Sequence, residues 1–519
     1  MDASWCADAH RSMWRLAAEP GLCEVRQTAR RIAREVADSG ATRATLLGEL
    51  TQSGLVGMLD RAQYPALSLG LAAAELAVAD GGAATCLLSA FLAQSVVRDF
   101  GTPEQQARYL DRGRYPHAAL CLTEPPPGAG VDALTLTGRA RLVDAPPSAA
   151  PWLDVEKRGR FTSHMEFADF VLLAVDSGDP RLAGGCVILA EPGDECLFDR
   201  GLPVRTLGHR LASVTSPEFR LRVPASRILG GYTVEDGRLA PRIGYRQALD
   251  PALRRCHPVV ALMTAGKLLA TVDTVLAQGL PDIAAALRLV DAWAAAEAAA
   301  SLGLAAAHAE APVTGAAARL FATAHAARHM AQYAALPNVL GWLMDARVEA
   351  VYLGAESLQR RQLAAWLAAP GFGAQQEAAE SGPLRAGLSL LGWTVELLRR
   401  AHLLTDARQG AAFPLADALC RLLAARALAD DVRTLRAARD PSLGFFRDLS
   451  VAASAAAASA AAQTCTTAVF GYAPPAEEDL RSFYSLRAAV DSNLAGAHEA
   501  RMRAAAFLLA QPIDNRNSP

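Results

Sequence analysis

The sequence predicts a mostly α-helical α+β protein, in which a β-barrel or β-sandwich domain lies between helical domains. Apolar residues recur every three or four positions from residue 24 to 112, and again beyond residue 257, which is typical of amphipathic helices. Short runs of β-type residues, bounded by Gly, Pro and Asp, lie between these regions, in residues 118–231. Because helices and strands are segregated, a wound α/β fold is excluded.

The chain has 519 residues, too many for one hydrophobic core, so we expect several packed domains. The predicted domains are an N-terminal helical domain, a middle β domain, a C-terminal four-helix bundle and an additional helical domain, with bounds 1–117, 118–245, 246–370 and 384–512. Residues 511–519 lack periodicity and are predicted to be a frayed tail.

Five runs are predicted to form strands of the β domain, at 118–122, 133–137, 170–175, 186–190 and 218–223. Beyond them, long segments rich in Ala and Leu predict closely packed helices, because alanine loses no side-chain entropy in a helix.

Charge and composition exclude several classes of protein. Lys and Arg total 51 against 53 acidic residues, so a nucleic-acid partner is not expected. No secretory signal and no membrane span are predicted, so we expect a cytoplasmic protein. The nine cysteines lack C-x-x-C spacing, which indicates reduced thiols and neither a disulfide framework nor a metal site.

Several motifs together resemble the acyl-CoA dehydrogenase family. Residues 100–110 (Phe-Gly-Thr-Pro-Glu-Gln-Gln-Ala-Arg-Tyr-Leu) and 122–125 (Leu-Thr-Glu-Pro) are similar to its F-G-[ST]-x-E-Q-x-x-x-[YW]-L and L-T-E-P motifs. Further likeness lies at residues 128–132, 161–170, 207–210, 223–224 and 229–230. In the helical part, His257-Pro-Val-Val-Ala resembles R-P-V-V-A, and residues 345–355 resemble D-A-R followed by I-Y-E-G-T. The resemblance covers residues 25 to 370, and larger family members carry an additional helical domain like the one predicted here.

The resemblance implies a flavin enzyme in which a carboxylate removes the α-proton of an acyl thioester while a hydride leaves to the flavin. The usual carboxylate is replaced here by Leu353, and the alternative position by Cys256. Cys256 and His257 are therefore the candidate catalytic residues, because both titrate and both fall where the resemblance puts the cleft. The other interpretation is that His257 packs at a helix entrance and that Cys256 is inert packing.

The same resemblance implies cofactor contacts to FAD from five residues. Thr123 and Ser163 match positions that reach the isoalloxazine ring, Phe161 replaces the tryptophan that lies against it, and Leu122 and Gly130 match main-chain contacts. An L-T-E-P turn that only joins a helix to a strand is the alternative, with Asp99, Glu104 and Glu124 acting as caps or surface charges.

At the adenosine-diphosphate end of FAD, the expected motifs are degraded. The family's R-x-x-F-G arginine is missing after Gly279, and Ala335 and Leu336 replace two glycines of Q-x-x-G-G, although Gln332 remains. Val131 also replaces a serine that normally faces phosphate. These changes predict reduced or lost FAD affinity unless other donors are present.

Three functions stay open at this point. The first is a flavoprotein that oxidises an acyl-CoA or a carrier-bound acyl group with an altered base. The second is a flavin-dependent oxygenase, and the third is a flavin-free protein with a lyase, cyclase or structural role. By resemblance, a homodimer or larger oligomer is expected.

Overall fold

A computed structural model shows helices before and after a central sheet, which confirms the predicted α+β fold. The structure describes residues 20–37, 40–60, 62–111, 117–126, 135–144, 150–204, 206–354, 356–369, 382–404, 409–437, 443–472 and 475–510. The predicted cofactor contact Gly130 and the predicted tail 511–519 lie outside these ranges.

Among the residues described before the sheet there are six helices: α1 (Pro20–Ala37), α2 (Arg43–Gln52), α3 (Leu55–Asp60), α4 (Pro65–Ala79), α5 (Gly81–Phe100) and α6 (Pro103–Tyr109). Local capping fixes where two of them begin. Asp80 accepts hydrogen bonds from the amides of Gly82 and Ala83 at the start of α5. Thr102 and Gln105 form a capping box at the start of α6, where Pro103 needs no hydrogen-bond acceptor.

The middle of the chain forms a curled, mixed sheet. Its strands are β1 (Ala118–Cys121), β2 (Arg139–Leu142), β3 (Trp152–Arg158), β5 (Phe170–Ser177), β6 (Cys186–Ala190), β7 (Glu195–Asp199) and β9 (Glu218–Pro224). Two further two-stranded sheets are formed by β4 (Thr162–Ser163) with β8 (Val214–Thr215), and by β10 (Tyr232–Glu235) with β11 (Arg238–Pro241). The order is β1-β5-β2-β3-β9-β7, with β6 also paired to β5, and only the β1–β5 and β2–β5 pairs are parallel. β5 is therefore the central strand.

One of the five predicted strands is wrong. Residues 135–137, the described part of the run 133–137, form no strand, because the amides of Thr137 and Gly138 donate to the Glu124 carboxylate and not to a neighbouring strand (2.5 and 2.9 Å). The strands that follow, β2 and β3, were not predicted, although β3 alternates buried and exposed residues along its length.

In the described part of the chain, five helices come directly after the sheet, and α7, α9 and α10 among them carry residues of the candidate site: α7 (Tyr245–Gln278), α8 (Ile283–Ala309), α9 (Pro312–Met330), α10 (Val339–Glu349) and α11 (Glu356–Leu367). The C-terminal set is α12 (Gly382–Arg400), α13 (Gln409–Ala437), α14 (Leu443–Tyr472), α15 (Glu477–Ser492) and α16 (Ala497–Leu509). It shares one hydrophobic cluster with α4 and α7 to α9, so it is part of the main core.

Two helices, α7 and α8, are long and apolar enough to suit a membrane span by composition. Within the most apolar 18-residue window of each, 83% and 89% of the residues are buried against other parts of the protein. This burial is the pattern of core helices.

Candidate functional site

The structure brings Cys256, His257 and Leu353 together, as the motif register predicted. Cys256 and His257 are buried well inside α7, so His257 packs within the helix and not at its entrance. Leu353 follows α10 with a φ of +59° and packs against the cluster that contains Cys256. The backbone of Leu353 lies close enough to the His257 imidazole to affect its pKa, whereas the Nδ1 atom of this imidazole has no hydrogen-bond partner among the described residues. The site is therefore one packed contact between α7 and the end of α10.

Burial sets the protonation of both candidate catalytic groups. Desolvation lowers the pKa of His257 to about 3; the nearby Arg319 charge lowers it further, and the polar backbone of Leu353 opposes the shift. Desolvation also raises the pKa of the Cys256 thiol to about 12. At neutral pH the imidazole is therefore neutral and the cysteine is a thiol, so neither group is poised for proton transfer in this packing.

Arg319 on α9 holds the segment that ends in Leu353. Its side chain is 1% exposed, and it donates to the carbonyl oxygens of Glu349, Tyr352 and Leu353, with distances of 3.1 Å to the first and the last. These are carbonyls that the end of α10 leaves without helical partners. Arg319 thus fixes the turn that positions Leu353, a role that no sequence motif had indicated.

A buried ion pair lies one helical turn before Leu353. The Glu349 carboxylate pairs with the Lys267 ammonium of α7 and accepts from the Thr264 hydroxyl at 2.8 Å, and both charged side chains are fully buried. Burial alone would raise the pKa of Glu349, but the Lys267 charge outweighs it, so the pKa is lowered. Glu349 is thus a carboxylate near the site that is already neutralised by a partner.

The ion pair continues into a polar network that joins three parts of the chain. His209, from the loop before β8, lies 3.7 Å from Glu349 through Nε2 and 3.3 Å from the Thr85 hydroxyl through Nδ1. Its ring also meets that of Tyr352 edge-on at 5.8 Å. Asp345 accepts from the amide of His209 at 2.6 Å, so the D-A-R aspartate anchors the loop that carries His209.

The turn that carries the predicted flavin contacts lies at one edge of the β domain. The carbonyl of Thr123 accepts from the amide of Arg160 at 2.9 Å, which places residues 122–123 beside residues 161–163. The carbonyl of Ser163 accepts from the Ser89 hydroxyl of α5 at 3.1 Å. Leu122, Thr123 and Ser163 are half-buried, so this edge is open to contact from one side.

Phe161 stands out at this edge because it is an exposed aromatic ring. It is 53% exposed, has a φ of +54°, and carries the Arg160 guanidinium 4.5 Å above its ring. A non-glycine residue in the left-handed region is held there by its surroundings, and such residues cluster at functional sites. The edge therefore offers an aromatic surface to a planar ligand.

Glu124 supports this turn from below and is neither a cap nor a surface charge, which corrects the prediction. Its carboxylate pairs with Lys157 of β3 at 2.6 Å, with both side chains fully buried. Lys157 also donates to the carbonyl of Leu122 at 3.1 Å. The ion pair thus ties the turn to the sheet. Asp99, by contrast, is exposed and forms an ion pair with Arg255. Glu104 is exposed in the first turn of α6.

At the adenosine-diphosphate end, the degraded motifs form ordinary helix connections. α7 ends at Gln278, Gly279 takes a φ of +79°, and Asp282 already caps α8. Gln332 is exposed in a short 3-10 turn, and Leu336 packs against the core. The residues present here do not supply the arginine that the family motif would, so this end does not fit a pyrophosphate as the motif predicts.

Comparison with known proteins places the fold. No family model matches the chain, and no curated protein does either. Solved structures do match: a Bacillus anthracis acyl-CoA dehydrogenase complexed with FAD is 15% identical, with 94% of each chain covered and a TM-score of 0.77. The chain therefore has the acyl-CoA dehydrogenase fold.

Two further structures match a shorter part of the chain. The butyryl-CoA dehydrogenase of Megasphaera elsdenii is 20% identical, over 64% of this chain and 96% of that one, with a TM-score of 0.53. FkbI, a protein for the biosynthesis of the methoxymalonyl extender unit of a polyketide immunosuppressant, is 19% identical. The match covers 68% of this chain and 100% of FkbI, with a TM-score of 0.53. The match to the Bacillus anthracis structure covers 94% of this chain, so it must include most of the C-terminal helices α12 to α16.

Sequence reasoning missed most of the polar residues around the site. Lys267 interrupts an apolar stretch of α7, and a single lysine in such surroundings needs a buried partner. That signal could have found Lys267, but not its pairing with Glu349. Within the described ranges, no three His, Cys, Asp or Glu side chains are grouped to hold a metal ion.

Proposed function

We propose that the protein is a flavoprotein that acts on an acyl thioester, either acyl-CoA or a carrier-bound acyl group, without the usual catalytic glutamate. The single observation that carries this proposal is the exposed Phe161 ring at the half-buried edge formed by Thr123 and Ser163. A fold that is shared with an FAD complex supports it.

The isoalloxazine end of FAD fits this edge. Phe161 would lie against the ring system, and Leu122, Thr123 and Ser163 would offer hydroxyl and main-chain hydrogen bonds to its polar rim. The buried pair of Glu124 and Lys157 keeps the turn in place before any ligand arrives. When bound, the flavin supplies hydride acceptance, which no side chain can provide.

As packed in this structure, neither Leu353 nor His257 can act as the base that removes an α-proton. Leu353 cannot accept a proton, and the burial that lowers the pKa of His257 to about 3 makes it a weak base. We propose that His257 is a substrate contact or acts as a base only after the contact between α7 and Leu353 opens. Cys256 stays a packing residue while its thiol is buried.

The visible spectrum of the purified protein tests the proposal. A yellow sample with an FAD spectrum, or a colourless one that takes up added FAD, is the expected result. Phe161→Ala is expected to weaken FAD uptake about tenfold, since base-to-aromatic stacking of this kind contributes on the order of 1 kcal/mol or more. Leu202→Ala, at a site in the same domain that is 87% exposed, is the matched control. A protein that takes up no FAD would sink the proposal.

Turnover then separates the roles of His257 and of oxygen. Reduction of the bound flavin by an acyl-CoA under anaerobic conditions indicates a dehydrogenase, whereas a requirement for oxygen indicates the oxygenase. His257→Ala is expected to abolish flavin reduction; because it also leaves a cavity in the core and lowers the melting temperature, reduction is measured at a temperature where the variant is still folded. Unaltered reduction by this variant would reject a catalytic or substrate-contact role for His257.

A second candidate function is a flavin-free protein with a lyase, cyclase or structural role. The observation that favours it is the closed packing around Leu353, where His257, Arg319 and the pair of Lys267 with Glu349 are all buried. The degraded motifs at residues 279 and 332–336 favour it as well. A colourless protein that binds an acyl-CoA but not FAD is the result that this candidate predicts.

The setting of the protein completes the proposal. We place it in the cytoplasm as a homodimer or larger oligomer, with no nucleic-acid partner. All eight cysteines in the described ranges are free, which suits a reducing compartment. Sedimentation of the purified chain would measure the oligomeric state.

A further inference from the structure

A cavity of about 320 Å³ lies between α9, α10 and the start of α11, on a side of the chain that the predicted site residues do not line. Its lining combines four alanines with a few polar side chains: Thr323, Ala324, Ala327, Arg328, Ala346, Arg347, Ala350 and Glu356. The alanines recur three or four residues apart on the two facing helices, so the helices leave a groove in which larger side chains would have filled the space. A volume of this size suits a small molecule.

Two arginines of this cavity have no protein counter-ion. Among the residues that the structure describes, neither Arg328 nor Arg347 has an ion pair or hydrogen bond, and both are exposed. The guanidinium charge is therefore not neutralised within the chain.

The carboxylate in the lining does not neutralise these arginines. Glu356 is paired with Arg360 of the next turn at 2.9 Å, and its other oxygen lies 3.5 Å from the Thr323 hydroxyl. The cavity thus has a net positive lining with an apolar floor.

From this geometry we propose that the cavity binds the phosphate or pyrophosphate group of a small molecule, with Arg328 and Arg347 as the donors. Guanidinium groups bind phosphate oxygens in pairs of parallel hydrogen bonds, and Arg is preferred over Lys where that geometry matters. The alanines of α9 and α10 let such a group approach the helices closely. The lining includes Ala350, just after α10, and Glu356, at the start of α11, so a ligand here would lie beside the two ends of the segment that carries Leu353. The proposal does not depend on flavin binding.

The test is isothermal titration of the full chain with inorganic pyrophosphate at constant ionic strength. One saturable site is expected for the unaltered protein. Arg328→Gln and Arg347→Gln should each weaken binding at least tenfold. Ala350→Leu should abolish it without changing any charge, because the added side chain fills the groove. Arg361→Gln, which removes an exposed arginine of α11 that does not line the cavity, is the matched control and should bind as the unaltered protein does.

Two outcomes of the titration overturn the proposal, and one outcome of the competition experiment does so as well. One is that the unaltered chain shows no saturable binding of pyrophosphate and that its melting temperature is the same with and without pyrophosphate. The other is an equal loss of binding in Arg361→Gln, which would show attraction to the general surface charge. Competition identifies the source of the phosphate: displacement of pyrophosphate by ADP supports a nucleotide, and displacement by phosphopantetheine alone supports an acyl carrier. If neither competes, the cavity takes inorganic anions only, and the small-molecule proposal fails.

Discussion

At the scale of single residues, Lys267 shows how much of the candidate site depends on one buried charge. Its ammonium and the Glu349 carboxylate are both fully buried, and Thr264 is the further hydroxyl partner of the carboxylate. Removing one member of a buried ion pair leaves the other charge without compensation, which costs more than the pair contributes.

Lys267→Met is therefore expected to lower the free energy of unfolding by about 3–5 kcal/mol. Urea denaturation at pH 7 measures this change. The double variant Lys267→Met with Glu349→Leu should recover most of the loss, since neither member of the pair is then left buried without its partner. The exposed pair of Arg399 and Glu396 supplies the control: Arg399→Met should change stability by no more than about 1 kcal/mol. If Lys267→Met lowered the free energy of unfolding by no more than Arg399→Met does, the pair of Lys267 and Glu349 would not be as buried as described.

Residue identity at the site could be predicted, but residue environment could not. The register of H-P-V-V-A and of V-Y-L-G-A correctly brought His257 and Leu353 together. The expectation that a histidine here titrates near neutrality did not include its burial, which depends on α9 and Arg319. Arg319 lies more than 50 residues from His257 in the chain, and no local pattern connects the two.

At the scale of elements, β3 explains why part of the sheet was missed. Its sequence Trp-Leu-Asp-Val-Glu-Lys-Arg alternates as a strand should, but Lys157 occupies an inward position where an apolar residue is expected. The lysine is tolerated because Glu124 neutralises it. A pattern of hydrophobic residues alone cannot recognise a strand whose inward face uses an ion pair.

The crossing of α4 and α7 depends on a glycine. A Cβ atom on Gly266 would lie 3.0 Å from the carbonyl oxygen of Ala74, which is backbone and cannot turn aside. Gly266→Leu is thus expected to push the helices apart and to lower the free energy of unfolding by about 1–3 kcal/mol or more. Gly341→Ala in α10 is the control, because nothing lies within 4 Å of its Cβ position, and it should be neutral or stabilising. Both are measured by denaturant unfolding. Equal stabilities in the two variants would contradict a close helix crossing.

At the scale of the whole molecule, four histidines make stability depend on pH in one direction. Burial is the largest cause that lowers the pKa of His164, His257 and His325 to about 3 and that of His329 to about 4. In the unfolded chain these groups have pKa values near 6.5. Below pH 6.5 the unfolded state therefore binds protons that the folded state does not, so stability falls as the pH falls.

Acidic groups modify this trend without reversing it. Burial raises the pKa of Asp80, Asp194 and Asp417, so these carboxyls oppose the histidines, but only as the pH approaches their own titration range. The lowered pKa of Glu349 reinforces the histidines, and only below about pH 4.5. Between pH 6.5 and 5.5 the histidines dominate.

The free energy of unfolding is therefore expected to fall on going from pH 7.5 to pH 5.5, by on the order of 1 kcal/mol for each of the four histidines. Guanidinium denaturation at the two pH values measures the difference. Burial also lowers the pKa of His117, which adds to the same trend. His257→Met removes one contributing group and should reduce the difference by on the order of 1 kcal/mol, whatever it does to stability at pH 7.5. His498→Gln, at an exposed position of α16, should leave the difference unchanged. A difference that His257→Met does not alter would mean that the imidazole at the contact of α7 with Leu353 is open to water, and that the candidate site can admit a substrate without unpacking.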